Sequence, residues 1–494
     1  MIKRLLLGLL LLLLLLLLLL AAALLLNTVR QGSRQLQVPQ LAPLAIDNAA
    51  LAEAMAAAVR AKTVTGLLDP SGVAAEYDSL HAHLKARYPL VHATLEREVV
   101  GGHSLLFTWR GSAPQAKPIA LLAHQDVVPV APGTEALWQK PPFAGVVEGG
   151  FVWGRGTLDN KSNLISQLEA VELLIKAGFK PQRTIYLVFG HDEEVGGRDG
   201  AVAIVALLKQ RGVQLDFVLD EGLVVTEGIL PGVQAPLALI GLAEKGSLSL
   251  RLIAKAVPGH SSMPPSAAGA SAIGMLAAAL ARLDQHPMPG GIRGVAAEMF
   301  AVIAPELPFS QRLPLSNLWL FRPLVEAALG KGAATNAMMR STTAMTILSA
   351  GNKFNVLPGQ AEAVLNFRLL PGDSAASVTA HVRQVIADER IEVKPLDTPF
   401  EPSRISSASA AGFQLVERTV REVFPDAMVA PGLMIAATDA RHFEAIADQV
   451  YRFMPIRFTP PDLARLHGTD ERIAISQLAD MVRFYHRLLS QAAK

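Results

Sequence analysis

The apolar run Ile185-Tyr-Leu-Val-Phe189 breaks abruptly into Gly190-His191-Asp192-Glu193-Glu194, followed after Val195 by two glycines. Such a run, bounded by glycine and acids, reads as a buried strand. Three carboxylates crowded at its end would repel one another, at a cost of several kcal/mol if they are partly buried. A bound cation or a solvated turn would relieve that repulsion, and this stretch alone does not choose between them.

The same break recurs along the chain. Pro118–Ala123 ends in His124-Gln125-Asp126, and Phe151–Gly156 runs through a glycine turn to Asp159-Asn160-Lys161. Leu215–Leu219 ends in Asp220-Glu221-Gly222. Between these strands, Ser162–Ala177 and Ala201–Gln210 have helical periodicity. Alternating strands and helices predict an α/β fold with a mostly parallel sheet covered by helices. In such sheets, ligands gather beyond the carboxyl ends of the strands. The loop Leu466–Glu471 brings His467 as a further candidate before a final helix, Ile475–Leu489. Each candidate alone has an ordinary explanation as a turn residue or a helix cap. Together, His124, Asp126, Asp159, Glu193, Glu194, Asp220 and His467 point to a metal site. The chain has no cysteine, so the ligands must be histidines and carboxylates. Gly154–Ser162 also has the outline of a phosphate loop, but Asn160 stands where that loop needs glycine, and Asp159 would repel a phosphate.

With 494 residues, the chain should hold two or three domains, and its net charge of +2 argues against a nucleic-acid binder. Leu5–Leu26 is 22 residues without a charge, and about 20 suffice to cross a bilayer core. Lys3 and Arg4 precede it, predicting an inside N-terminus and an exported remainder, on the periplasmic side in a bacterium. The run exceeds the core of a signal peptide, about 7–15 residues, so it reads as an uncleaved signal anchor, although Ala21–Ala23 offers a cleavage site. A tether covers 27–46. Helices are expected at Asn48–Arg60 and Gly72–Arg87. The α/β domain carrying the metal-site candidates then falls into two parts, 47–245 and 399–494, around an inserted α+β domain at 246–398. In the insert, strands Ser247–Ala254, Thr342–Leu348, Ala361–Leu369 and Ile391–Pro395 are expected to pack against helices Ala267–Leu283 and Ser374–Glu389. His286–Arg340, rich in proline and apolar residues, fits no obvious element. It reads as additional packing of the insert, with lipid, a partner or a greasy substrate as the alternatives.

The motifs Ala123-His-Gln-Asp-Val-Val-Pro129, Gly154-Arg-Gly-Thr-Leu-Asp-Asn-Lys161, Asp192-Glu-Glu194, Gly259-His-Ser-Ser262, Asn355-Val-Leu-Pro358 with Arg368, Thr438-Asp-Ala-Arg441 and His467-Gly468 stand in a fixed order. That order resembles the zinc-dependent M20 peptidases and amidohydrolases over roughly residues 60–490. The branch it looks most similar to is the secreted PM20D1-like one, whose members act on N-fatty-acyl amino acids. The resemblance implies two Zn2+ ions, for which Mn2+ or Co2+ could substitute in the same shell. Asp159 would bridge the ions, with His124 and Asp220 completing one shell and Glu194 and His467 the other. Asp126 would orient His124, and Glu193 would be the general base. His260, on the insert, would steady the oxyanion; Asn355 and Arg368 would bind the substrate carboxylate, and Thr438 its backbone. Relatives with Gly-Thr-Ser-Asp differ here, since this chain offers Ala437 before Thr438, which loosens that last assignment. A cis Asp159–Asn160 bond and a homodimer through the lid domain are further expectations. The function implied is hydrolysis of an amide next to a free carboxylate, in N-acyl amino acids or small peptides. A carboxypeptidase or dipeptidase with the same site is the alternative, and a catalytically silent binding protein a remote one.

Overall fold

The computed structural model describes residues 2–39, 42, 44–65, 73–230, 232–267 and 269–493. The chain divides into two compact units. The larger comprises residues 35–242, 406–434 and 438–494; the smaller comprises the chain up to Arg34 with 243–405 and 435–437.

The larger unit is built on an eight-stranded sheet. Its spatial order is Glu96–Val100, Ser104–Trp109, Ile185–Gly190, Ile119–His124, Leu215–Thr226, Ala447–Phe458, Leu237–Glu244 and Met428–Met434. The sheet is mixed, where the sequence predicts a mostly parallel one. Parallel pairs join Ile185–Gly190 to Ile119–His124, Ile119–His124 to Leu215–Thr226, and Leu215–Thr226 to Ala447–Phe458. Short connections account for two of the antiparallel pairs, because a parallel crossover needs a dozen or more residues. Glu96–Val100 returns into Ser104–Trp109 through Gly101 and Gly102, whose positive φ values of 61° and 105° make a tight hairpin. Thr226 likewise returns to Leu237 within a short loop. The core strands Ile119–His124 and Ile185–Gly190 are buried along their whole length. Helices Lys161–Lys176 and Ile475–Ala492 pack on one another, and Tyr485 Oη donates to Asn163 Oδ1 at 2.7 Å inside that contact. A separate three-stranded sheet of Val146–Glu148, Phe151–Trp153 and Arg472–Ala474 ties the turn at 154–159 to the loop carrying His467.

The smaller unit has a four-stranded antiparallel sheet in the order Thr342–Ala350, Gln360–Leu369, Gly246–Lys255, Ile391–Pro395. Helices Ala272–Gln285 and Ala375–Ile386 cover it, burying Leu248, Leu250, Leu276, Leu365, Val378 and Val382 in one core. The first helix starts five residues later than expected, at the point where Ser271 accepts from Gly274 N as its cap. Segment 286–340 folds into four helices: Gly294–Ile303, Phe309–Ser316, Leu318–Leu329 and Ala333–Met339. Pro305 and Pro308 separate the first two helices, and Pro314 and Pro323 fall inside the second and third, which obscures their helical pattern in the sequence. The first of these helices buries Val295, Met299, Phe300 and Ile303, which is the additional packing the composition predicts. The third buries none of its side chains. At the N-terminus one helix runs from Ile2 to Arg30, longer than the uncharged run it contains. The helix expected to begin at Gly72 is observed from Val73; residue 72 lies outside the described residues.

Candidate metal centre

In the larger unit, two strand ends, two turns and the middle of the strand Leu215–Thr226 deliver side chains to one place. Ile119–His124 and Ile185–Gly190 run in parallel register, so His124 stands opposite Gly190 and beside the turn that follows it. Asp159 arrives from the turn after Phe151–Trp153. That turn needs Gly156, at φ 90°, since a Cβ there would come within 2.8 Å of Val127 Cγ1. Behind it the fully buried Lys161 donates to Ala58 O at 2.9 Å and Ala61 O at 2.6 Å, and burial pulls its pKa down to about 7. The Asp159–Asn160 peptide is cis.

Asp159 sits between two histidines, one oxygen to each. Oδ1 lies 2.9 Å from His124 Nε2, and Oδ2 lies 3.0 Å from His467 Nε2. Glu194 Oε2 is 3.4 Å from the same His467 nitrogen. Asp126 is fully buried and turns its carboxylate to the amides of Glu193 at 3.3 Å and Glu194 at 3.1 Å, and to Thr65 Oγ1 at 3.0 Å. Its carbonyl oxygen and Oδ1 lie 3.0 and 3.3 Å from His124 Nδ1. One aspartate therefore holds both the far nitrogen of His124 and the backbone of the acidic turn. Burial, with Asp439, Glu221 and Asp126 nearby, drives the Glu193 carboxyl well above the usual range despite the pull of His124. The Asp159 hydrogen bond, then Glu194, raises His467 to about 10.

Among the sequence candidates, Asp220 is the one the structure turns away from the cluster. Its Oδ1 accepts from Glu221 N and its Oδ2 from Ala440 N, both at 2.8 Å. The neighbouring Glu221 faces inward, with Oε1 3.3 Å from His124 Nε2, and Asn160 Nδ2 donates to its other oxygen. Ligand atoms of His124, Glu193 and Glu221 lie within 4.8 Å of one another, as do those of His124, Asp159 and Glu194. Nothing in the Asp220-Glu221 pair itself says which of the two turns inward. Thr438 is buried, and its Oγ1 lies 3.3 Å from Ala440 N, the amide that also serves Asp220. His191, a residue without an assigned role in the sequence reading, lies behind the turn with Nδ1 2.6 Å from Ser104 Oγ, and its carbonyl accepts from Tyr77 Oη.

Glu471 and Arg155 were not singled out by the sequence, yet they join two of the ligand-bearing segments. Glu471 Oε1 accepts from the amides of Gly156, Leu158 and Asp159 at 3.0, 2.7 and 3.3 Å. Its Oε2 accepts from Arg155 Nη1 at 2.6 Å, and Arg155 Nη2 donates to the carbonyls of His467 and Gly468. Both side chains are essentially inaccessible to solvent. Burial raises the Glu471 carboxyl even against Arg155, which marks a charge that is costly to desolvate. Glu471→Gln leaves the guanidinium buried without its counter-charge, and should destabilise the fold by about 3–5 kcal/mol. Chemical denaturation would measure that loss, and metal affinity should fall with it as both segments loosen.

The remaining candidates belong to the smaller unit. His260 and Asn355 share a two-stranded ribbon, Gly259–His260 paired with Val356–Leu357, in which Ser261 N donates to Asn355 O at 3.1 Å. His260 is exposed, with Nδ1 2.7 Å from Ser262 Oγ. Arg368 is exposed on the strand Gln360–Leu369, opposite Ser247.

The donor set suits divalent cations: two imidazoles and several carboxylates converge, and Glu194 Oε1 is buried without a hydrogen-bond partner among the described residues. Residues 120–491 match the family model for peptidase family M20/M25/M40. The chain belongs to this family. Over 409 residues, it is 43% identical to the N-fatty-acyl-amino acid synthase/hydrolase PM20D1 of Bos taurus, covering 81% of this chain and 80% of that one. It is 38% identical over 484 residues to the probable carboxypeptidase S-like 2 of Dictyostelium discoideum, covering 95% and 91%. Among solved structures, the M20 family metallo-carboxypeptidase Sso-CP2 from Sulfolobus solfataricus shares the fold, with a TM-score of 0.63 and 18% identity over 90% of this chain and 99% of that one. Human carnosine dipeptidase 1 does so with a TM-score of 0.61 and 15% identity, over 90% and 96%. As an M20 member with this cluster, the chain is a metal-dependent hydrolase of amide bonds.

Proposed function

We propose that the chain hydrolyses N-fatty-acyl amino acids, releasing a fatty acid and an amino acid. The observation that carries a two-ion reading is Asp159, whose two oxygens each face a different histidine. Bridging suits a carboxylate, since paired catalytic ions sit about 3.5–4 Å apart. His124 and Glu221 would hold one ion, in place of the His124 and Asp220 expected from the sequence; Glu194 and His467 would hold the other. Zinc is the first choice, with Mn2+ or Co2+ able to occupy the same shell. When bound, such ions polarise the scissile carbonyl and bring the pKa of a water to about 7.

Glu193 receives a proton from the attacking water as the new C–O bond forms. It then delivers that proton to the amide nitrogen as the C–N bond breaks. Asp126 keeps the His124 ring fixed and draws the Glu193 and Glu194 amides into place. On the family resemblance, His260 steadies the developing oxyanion, while Asn355 and Arg368 bind the free carboxylate, with Thr438 near the substrate backbone. Arg suits that carboxylate because its planar fork can bind both oxygens. Arg368→Lys keeps the charge but loses the fork, so KM should rise about tenfold with a smaller change in kcat.

The fatty-acyl preference rests on the names of the relatives near 40% identity. A carboxypeptidase or dipeptidase activity is the second reading, supported by the carboxypeptidase S-like relative. Assay of the zinc-loaded full chain in detergent, against N-acyl amino acids of graded chain length and against dipeptides, decides between them. Rising kcat/KM with acyl length supports the first; turnover of dipeptides alone removes it. We read Ile2–Arg30 as the membrane anchor, with the hydrolase outside the cytoplasmic membrane. A C-terminal reporter active only in the cytoplasm would refute that orientation. The edge strand Thr342–Ala350, largely exposed, is the surface through which a homodimer would form.

A further inference from the structure

The helix Leu318–Leu329 carries its apolar side where a surface helix normally carries its polar one. Trp319, Leu320, Pro323, Leu324 and Ala327 follow one another at i, i+1, i+4, i+5 and i+8, and so share a face. That face is open: Trp319 is 64% and Leu324 70% exposed, and Phe309 on the preceding helix is 56% exposed. Its two charged residues, Arg322 and Glu326, flank that face and hold the backbone at Ile292. Glu326 Oε1 accepts from Ile292 N at 2.8 Å, and Arg322 Nη1 donates to Ile292 O at 2.9 Å. The Trp319 indole N–H reaches inward to Asn317 Oδ1 at 3.3 Å, leaving its ring outside. A contiguous apolar patch of this kind marks an interaction surface.

Its neighbour identifies the partner. The C-terminal end of the helix Ile2–Arg30 is fastened to the start of this one. Asn27 Nδ2 donates to Ser316 O at 2.6 Å and to Asn317 Oδ1 at 3.0 Å, and the fully buried Asn317 donates to Thr28 Oγ1 at 3.0 Å. Arg312 Nη2 closes that helix end, donating to Thr28 O at 2.9 Å and Gln31 O at 2.5 Å. The junction therefore lies at the point where the uncharged run ends and polar residues begin. For a spanning helix, that point is the membrane–water boundary, where tryptophan rings prefer to sit.

We propose that the helix Leu318–Leu329 lies in the bilayer interface, with the Trp319–Leu324 face among the lipids. It would thus hold the smaller unit against the membrane surface from which an acyl substrate comes. The proposal rests on reading Ile2–Arg30 as a membrane anchor. The partner is a lipid bilayer, because the helix bearing the face starts at the junction with a helix whose apolar run from Leu5 to Leu19 is exposed.

The chain has no cysteine, so single labels can be placed cleanly. The full chain, carrying Leu324→Cys, Leu16→Cys or Glu389→Cys labelled with an environment-sensitive fluorophore, is reconstituted into phosphatidylcholine/phosphatidylglycerol vesicles containing doxyl-labelled lipid. The expected result is quenching at 324 by shallow doxyl groups at least about twofold above that at the exposed turn residue 389, and quenching at 16 by deep ones. Quenching at 16 without quenching at 324 overturns the proposal and leaves the anchor intact. No lipid quenching at either position overturns the anchor reading itself. A label at 324 shielded from aqueous iodide yet untouched by doxyl lipid would put a protein surface, such as a second copy, in the place of the bilayer, and the proposal would fail.

Discussion

Glu193→Gln is expected to lower kcat about 10³-fold, within the range that positioned acid–base groups supply, while leaving bound metal close to the wild-type amount. The reasoning is geometric. Glu194, not Glu193, has its carboxylate at His467, and Asp126 holds both glutamates by their amides whatever their side chains carry. Glutamine keeps the volume and the backbone contacts, and removes only the group that can accept a proton. Single-turnover kinetics on an N-acyl amino acid, with metal content measured on the same sample, tests both parts. The cluster also offers a way to be wrong, since Glu193 shares a group of ligand-distance atoms with His124 and Glu221. If Glu193→Gln stripped the metal along with the activity, the glutamate would be a ligand and another group would have to move the proton.

Much of this site could be read from the chain because the strand ends advertise it. Apolar runs reach His124 and Gly190 at their strand ends, and Asp220 within a strand that continues to Thr226, and parallel pairing brings these positions side by side. The hairpin edges were less legible. Gly101-Gly102 reverses the chain within the length of a turn, a local event that a strand–helix alternation does not reveal. Segment 286–340 was hidden by its prolines, which mask helices that tertiary contacts nevertheless stabilise. Glu471 was hidden for a different reason. Its partners are three backbone amides and Arg155, more than 300 residues earlier, and backbone donors leave no trace in side-chain spacing. Sequence patterns report side chains that repeat; they do not report which amides a lone carboxylate will find.

The choice between Asp220 and Glu221 has the same origin, and it yields two substitutions with opposite signatures. Glu221→Gln should reduce zinc affinity by about 100-fold or more, above the 10–100-fold typical of groups that only support a ligand. It should do so with little loss of stability in the metal-free protein, because it removes one of several crowded buried carboxylates and keeps the contact with Asn160. Asp220→Asn should behave in reverse. The aspartate accepts two buried amides, from Glu221 and Ala440, and an asparagine must present an NH2 group to one of them. A buried donor left facing a donor costs about 1–3 kcal/mol, read as a lower denaturation midpoint, while zinc affinity changes less. Calorimetric titration of zinc into the metal-free variants separates the two roles. Should Asp220→Asn lose zinc and Glu221→Gln retain it, the family-based assignment of Asp220 would stand and the inward position of Glu221 would need another explanation. The contrast is informative because the residues are adjacent. The same strand supplies both, at the irregularity between Asp220 and Leu223; acceptance from the amide of Ala440 goes with the carboxylate that supports the fold, and the other faces His124.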